Sequence, residues 1–451
     1  MSTVHSFPGG THPHEGRGGK AVTAGLPIVE APQPSRVAIP LQQHIGAPCK
    51  PLVSKGDTVK VGQMIGEPAG VMSAAVHASI SGTVVDCQPC ILANGTQQMC
   101  VIIDNDFQDE WVALTPTANP ESMSVQELSD LARRMGIVGL GGATFPTAVK
   151  LNVPAGKKVD TLVLNGAECE PYLSADHRLM LEHAEQIVSG ARIVQKVLGI
   201  ERVMIGIEDN KPDCIEKMKA AAANDEHVEV RALPCMYPQG GEKVLIYHTT
   251  GKIMPEGKLP IDVGSVVMNV TSVATLAHYC TTGMPLVEKC ITVDGSAIKE
   301  PKNVIAPIGT ACKEVIDFAG GFGCEPKKLV MGGPMMGVAQ YDLDAPVAKG
   351  TSAILAFNEK DARPVTPTAC IRCGGCIDHC PMNLMPVEIE RAYEKNDAEA
   401  LKALKVGLCI ECGCCAFQCP AHRPLVQVNK LSKTLVRDYD NRMKTLKEAG
   451  K

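Results

Sequence analysis

Residues 370–381 read Cys370-Ile371-Arg372-Cys373-Gly374-Gly375-Cys376-Ile377-Asp378-His379-Cys380-Pro381. The pattern returns, displaced by 39 residues, as Cys409-Ile410-Glu411-Cys412-Gly413-Cys414-Cys415-Ala416-Phe417-Gln418-Cys419-Pro420. Three thiolates at x2 spacing wrap a loop around one face of an iron–sulfur cubane. The fourth Cys, carried off on the following segment and set by Pro, reaches the other cluster. One [4Fe–4S] cluster is therefore expected on Cys370, Cys373, Cys376 and Cys419, and a second on Cys409, Cys412, Cys415 and Cys380. Structural zinc is the competing reading. Zinc sites usually pair two Cys-x2-Cys knuckles, whereas each motif here has four regularly spaced Cys followed by Pro. Cys414 is expected to stand beside the ligands as a bystander, although it could compete with them. The insert 386–405 is rich in Glu, Ala, Lys and Leu, which favour helix, so this region reads as a helical ferredoxin-like module.

Working outward, 451 residues exceed one ordinary core, and about three or four domains are expected. Hydrophobic residues make up 45% of the chain, ample for buried cores. A net charge of −5 and 3% aromatics argue against a nucleic-acid surface, which needs positive charge and stacking rings. No run approaches the roughly 18–20 apolar residues that span a bilayer. Residues 1–20 lack the apolar core of a secretory signal. The expectation is a soluble protein, able to sit peripherally on a membrane complex at its cytoplasmic face. Twenty cysteines without an export signal favour metal ligation over disulfides. Those outside the two motifs read as small buried hydrophobes. His5, His12 and His14 lie in a Gly/Pro-rich arm with no matching Cys or Asp set, so no metal site is expected there.

The chain divides at Gly/Pro-rich stretches. Residues 1–35 read as an extended arm wrapping over a neighbouring domain. Residues 36–110 read as short strands with Gly turns, including Lys55-Gly56-Asp57-Thr58-Val59 and the hairpin around Val76–Val84. This segment resembles the barrel-sandwich hybrid of biotinyl and lipoyl carrier domains. Carriers need a modifiable Lys at the hairpin tip, and here the tip is Val71-Met72-Ser73-Ala74-Ala75; the resemblance implies the fold without the carrier role. Residues 118–284 alternate helical and apolar-strand patterns, the signature of an α/β domain. Residues 285–358 return to short strands around one helix near 310–319 and resemble a β-grasp domain of the soluble ligand-binding type. Residues 363–451 hold the cysteine motifs and a mildly basic helical tail. The fold class is thus multidomain α/β.

One loop carries a second cofactor signal: Gly136-Ile137-Val138-Gly139-Leu140-Gly141-Gly142-Ala143-Thr144-Phe145-Pro146-Thr147-Ala148-Val149-Lys150. Glycines let backbone approach a phosphate, their N–H groups form an anion nest, and a following Lys adds charge. Alone, such a loop is as readily a structural turn. It resembles, however, the FMN-binding loop of the flavoprotein subunit of respiratory complex I, and the likeness continues in Asn165-Gly166-Ala167-Glu168-Cys169-Glu170-Pro171, Tyr237-Pro238-Gln239-Gly240-Gly241-Glu242-Lys243 and Asn269-Val270. The chain departs from that family at Val138 (Arg there), at Ala167 (Asp there) and at Glu242-Lys243 (an acidic pair there). With the barrel, the β-grasp segment, the cluster motifs and the opening Phe7-Pro8-Gly9-Gly10-Thr11-His12-Pro13 in this order, the whole chain resembles the RnfC family, a component of Rnf complexes.

That resemblance implies a Rossmann-like FMN/NADH domain and a membrane-bound ferredoxin:NAD oxidoreductase coupled to ion pumping. It implies non-covalent FMN, NAD(H) as substrate, and partner subunits that include a ferredoxin-like iron–sulfur protein. Nicotinamide exchanges hydride and cubanes take one electron at a time, so a flavin between them is chemically required. On the same resemblance, Gly139, Gly141, Gly142 and Lys150 would hold the FMN phosphate and ribityl chain. Asn165, Glu168 and Asn269 would contact the flavin, and Phe145 and Glu242 would seat the nicotinamide nucleotide; Phe145 is equally readable as core packing and the two acids as structural. No acid–base dyad is expected. Alternatives are a cobalamin reductase, disfavoured because its barrel segment is C-terminal; a sodium-pumping quinone reductase component, which lacks the cluster cysteines; and a non-enzymatic ferredoxin-like adaptor, which would carry iron without flavin.

Overall fold

The computed structural model describes residues 7–13, 19–93, 95–448 and 450; His5 and His14 lie outside them. After the arm come two small antiparallel sheets. One orders the strands Arg36–Pro40, Gln97–Asn105, Gly82–Ile91 and Thr58–Val59, and the other Lys50–Pro51, Met64–Glu67 and Val76–His77. Alternating residues Val37, Ile39, Val101, Ile103, Val59, Ile65 and Val76 meet in one core, as strands with period-two patterning require. Val71, at the tip read as lacking a carrier Lys, is exposed.

The next unit is a four-stranded parallel sheet in the order Val228–Leu233, Arg202–Glu208, Thr161–Asn165, Ser265–Asn269. Thr161-Leu162-Val163-Leu164 is buried throughout, as expected of a parallel strand covered on both faces. The helix Ala184–Leu198 packs on this sheet and ends at Gly199, whose φ of 62° closes it in the left-handed conformation. The chain runs outward from Thr161–Asn165 through two strands and then returns to add Ser265–Asn269 on the other side. The strand order therefore reverses between Asn165 and Asn269, which are paired in register at the carboxyl ends of their strands. Open α/β sheets bind ligands at such a reversal because the flanking loops diverge there and leave a crevice.

A six-stranded mixed sheet follows, in the order Val29–Glu30, Lys302–Pro307, Glu288–Asp294, Ala353–Phe357, Lys328–Met331, Val338–Gln340. Its edge strand comes from the arm: Val29 and Glu30 pair in parallel with Val304 and Ile305. Its helix is Cys312–Phe318, within the expected stretch. Asp294 is buried at a strand end, with one carboxylate oxygen on the Gly295 amide at 2.6 Å and the other without a partner among the described residues. Burial pushes its pKa up to about 7 from an ordinary 3.8. The folded chain thus holds a proton that the unfolded chain has lost. The stability this contributes is full below about pH 4 and is lost as pH rises through about 7. Asp294→Asn should flatten the fall in Tm between about pH 5 and pH 8; an unchanged slope would refute the assignment.

The last unit is helical: Pro386–Glu394 and Ala398–Ala403 between the motifs, and Leu425–Glu448 after them, around Leu384, Ile389, Leu401 and Val406. The duplication seen in sequence is repeated in backbone. Left-handed residues fall at Arg372, Gly374 and Asn383 and again at Glu411, Gly413 and His422.

Candidate functional site

The glycine loop is built on a two-residue alternation. Val138 and Leu140 are buried in the core of the N-terminal barrel, so Gly139 and Gly141 fall on the opposite side of the chain. This accounts for the departure at position 138: the side chain there anchors the loop. Leu140 N donates to Ser272 Oγ at 2.9 Å, and Ser272 Oγ donates to Val138 O at 3.1 Å. Gly141 and Gly142 are exposed. A Cβ on Gly142, at φ 107°, would project into open space, whereas one on Gly141 would come within 3.1 Å of Asn269 Nδ2. Among the described residues the amides of Gly141, Gly142 and Ala143 have no acceptor. A backbone cradle with free N–H groups beside a sheet reversal fits an anionic nucleotide such as FMN.

The other predicted residues gather around this loop. Asn269 caps the helix Val270–Thr282 by accepting from Thr271 N, and its amide donates to Asp176 Oδ2 at 2.7 Å. Asn165 donates to Gly240 O at 3.0 Å, tying the second segment to the third. Lys150 Nζ donates to Val267 O at 2.9 Å, lies 3.6 Å from Glu242 and stands 5.8 Å above the Phe145 ring. Lys150, Phe145 and Glu242 therefore form one group. Glu168 is placed differently: its carboxylate turns away to the start of the helix Ala175–Glu182, accepting from Asp176 N at 2.8 Å and His177 N at 3.1 Å. Burial raises its pKa to about 7, with Lys20 opposing.

Four lysines are buried among the described residues, and all four donate to carbonyls of the candidate cofactor loops. Lys20, from the arm, meets Glu168 O. Lys211 meets Ala167 O at 2.7 Å, Lys289 meets Leu140 O at 3.0 Å, and Lys349 meets Gly136 O at 2.7 Å. Burial pulls Lys349 down to about 7 and lowers Lys289. Together they make the surroundings of the cradle electropositive, which favours a phosphate.

The eight motif cysteines fall into the crossed sets. Burial is the main influence on the Cys380 thiol, and the thiols that add to it are Cys412 and Cys409; for Cys376 they are Cys419 and Cys370. Backbone amides point at the sulfurs: Arg372 N to Cys370 and Glu411 N to Cys409, each at 3.4 Å, with Asn429 Nδ2 at 3.5 Å from Cys409. Amides donating to thiolate sulfur suit a cluster ligand set. The second motif is anchored inward. Tyr237 OH donates to Cys412 O at 2.7 Å, Cys414 Sγ lies 3.9 Å from Tyr237 O, and Glu170 holds the amides of Met335 and Met336. Cys414 thus faces the α/β unit. The first motif lies outward, with Cys373 and Ile371 exposed.

Family models match along the chain in the same order. They are the RnfC barrel sandwich hybrid domain at residues 5–108, the Nuo51 FMN-binding domain at 132–278, the SLBB domain at 290–339 and a 4Fe-4S dicluster domain at 365–420. The RnfC-type component of the proton-translocating ferredoxin:NAD(+) oxidoreductase complex of Clostridium ljungdahlii is 48% identical over 384 residues, spanning 85% of this chain and 83% of that protein. Its counterpart in the Na(+)-translocating ferredoxin:NAD(+) oxidoreductase complex of Acetobacterium woodii is 46% identical, spanning 88% and 89%. The counterpart in the ion-translocating oxidoreductase complex of Rhodobacter capsulatus is 39% identical, spanning 89% and 77%. The chain belongs to the RnfC family.

Within this RnfC-family chain the FMN-binding match contains both Asn165 and Asn269, and the dicluster match contains all eight motif cysteines. Sequence reading passed over Asp176, which bridges Asn269 and Thr271 (2.6 Å), and the buried lysines. It quoted Tyr237 without a role. A lone Asp in a helix and scattered lysines carry no local signal; only the fold brings them to the crevice. No helix among the described residues is long and apolar enough to cross a membrane.

Proposed function

We propose that this chain exchanges hydride between NAD(H) and an FMN seated on the Gly139–Lys150 loop, and relays single electrons through two [4Fe–4S] clusters to or from partner subunits. The assembly is an Rnf-type complex whose net reaction is ferredoxin:NAD oxidoreduction coupled to ion translocation. The chain sits peripherally on its cytoplasmic face. Bound FMN would supply the step between two-electron and one-electron chemistry. The finer descriptions, a Rossmann-like FMN/NADH domain, a β-grasp domain and a helical ferredoxin-like domain, belong to the same reading.

The chain's own part is to hold and shield. Gly139, Gly141 and Gly142 offer backbone N–H groups to the phosphate, and the four lysines add positive field without occupying the cradle. Asn165 and Asn269 are fixed by their bonds to Gly240 and Asp176, so their positions at the crevice are set before a ligand arrives. Lys150, Phe145 and Glu242 form the outer lip on which the nicotinamide nucleotide would rest. The observation that carries the reading is the bond from Tyr237 to the carbonyl of Cys412, which joins a crevice segment to a cluster loop. It makes the cluster on Cys409, Cys412, Cys415 and Cys380 the one next to the flavin, and the other the outward relay.

Anaerobic purification with iron, sulfide and flavin quantitation is the test. About eight irons and one FMN, both bleached by NADH, are expected. Full iron without flavin, and no response to NADH, would leave a cluster-only adaptor and overturn the reading.

A further inference from the structure

We infer that the arm segment Phe7–Thr11 is a splint that fixes the flavin-to-cluster spacing. The inference rests on the electron path proposed above, and it concerns residues outside the cofactor loops.

The segment touches both ends of that path. Thr11 forms a two-way backbone pair with Tyr237, Thr11 N to Tyr237 O and Tyr237 N to Thr11 O, each 2.8 Å. One residue earlier, Gly10 N donates to His379 O of the first motif at 3.0 Å. The Thr11 hydroxyl accepts from Gln418 Nε2 of the second motif at 2.5 Å. Phe7 is buried, with its ring 5.0 Å from that of His248 in the helix Glu242–Thr250. Five residues therefore bond the α/β unit, the loop of Cys380 and the loop of Cys419 to one another. The fit is close enough to require glycine. A Cβ on Gly9 would meet the Cys380 carbonyl carbon at 2.8 Å, and one on Gly10 would meet Tyr237 O at 2.7 Å; both residues have φ near 80°, which L side chains resist.

The cluster loops are otherwise joined to the α/β unit through few polar contacts, chiefly Tyr237 to Cys412. A strand addition that grips Tyr237 on one side and Cys380 on the other opposes relative sliding of the two, and electron transfer falls steeply with separation. The segment is a positioning element; none of its side chains reaches the cradle.

The test uses the full chain with its cofactors and separates two rates after mixing with NADH. In Gly9→Ala and Gly10→Ala, flavin bleaching should keep its wild-type rate while cluster reduction slows by about tenfold or more, with iron and FMN content unchanged. Gly25→Ala is the control, because its φ is −79° and its nearest neighbour is 3.9 Å away. Thr11→Val, which removes only the Gln418 bond, is the milder variant should the glycine variants fold poorly. Amide exchange by mass spectrometry gives a readout independent of NADH. Peptides covering Tyr237 and Cys409–Cys415 should exchange about tenfold faster in Gly10→Ala. Wild-type exchange together with a wild-type cluster rate would overturn the splint. If NADH fails to bleach even the wild type, the functional reading fails, and the exchange comparison alone decides the splint.

Discussion

Cys380→Ser is expected to remove the cluster whose other ligands are Cys409, Cys412 and Cys415, although Cys380 belongs to the first motif. Iron should fall by about four per chain. NADH should still bleach the flavin, and electrons should stop there. Cys419→Ser should remove the same amount of iron with the opposite consequence: the cluster beside Tyr237 survives and is still reduced. The grounds are spatial, since Cys380 lies among Cys412 and Cys409, and Cys376 among Cys419 and Cys370. Were each motif to ligate its own cluster, the two variants would exchange phenotypes. Low-temperature spin-resonance spectra of NADH-reduced protein separate the cases.

Lys211→Met should be the most destabilising single change outside the cluster loops. Lys211 Nζ is 2.9 Å from Glu208 Oε2, both side chains are almost fully buried, and the same ammonium holds Ala167 O. Burial opposes the charge on Lys211, yet Glu208 and Glu168 hold its pKa above the ordinary value. Deleting one partner strands a carboxylate in the interior, at a cost of about 3–5 kcal/mol. Adding Glu208→Gln should recover part of that loss, because no uncompensated charge remains. FMN content should fall in the single variant, as the segment from Asn165 to Glu168 loses its support. Thermal unfolding and flavin fluorescence are the measurements; a single variant with wild-type Tm would refute the assignment.

Much of the architecture was legible because it is written in local spacing. The 39-residue duplication predicted the paired cluster loops, and their left-handed residues recur at the same interval. The apolar run at Val159–Leu164 announced a buried parallel strand, observed at Thr161–Asn165. Asn165 and Asn269 were marked by resemblance; the structure supplies a physical reason for the choice, since both end strands at the point where the sheet order reverses. What could not be read depends on distant partners. Val138 looked like a lost functional position until its burial in the barrel core was visible. Glu168 looked like a flavin contact, and its carboxylate faces a helix start instead. Lys20, Lys289 and Lys349 reach loops lying 148, 149 and 213 residues away, and no periodicity encodes such a meeting.

The arm's docking also sets an order of events during synthesis. Thr11 finds its partner Gln418 across 407 residues of sequence, and Val29 pairs with Val304. At ribosomal speeds of roughly 5–20 residues per second, the arm emerges roughly 20–80 s before its final partner exists. The earliest-made of these segments is therefore the last to be seated, and the cysteine loops must be in place before it can close over them. Cluster delivery that lags behind translation would leave the arm undocked and open to proteolysis, so the ratio of intact to arm-clipped chain should report how well iron supply keeps pace with expression.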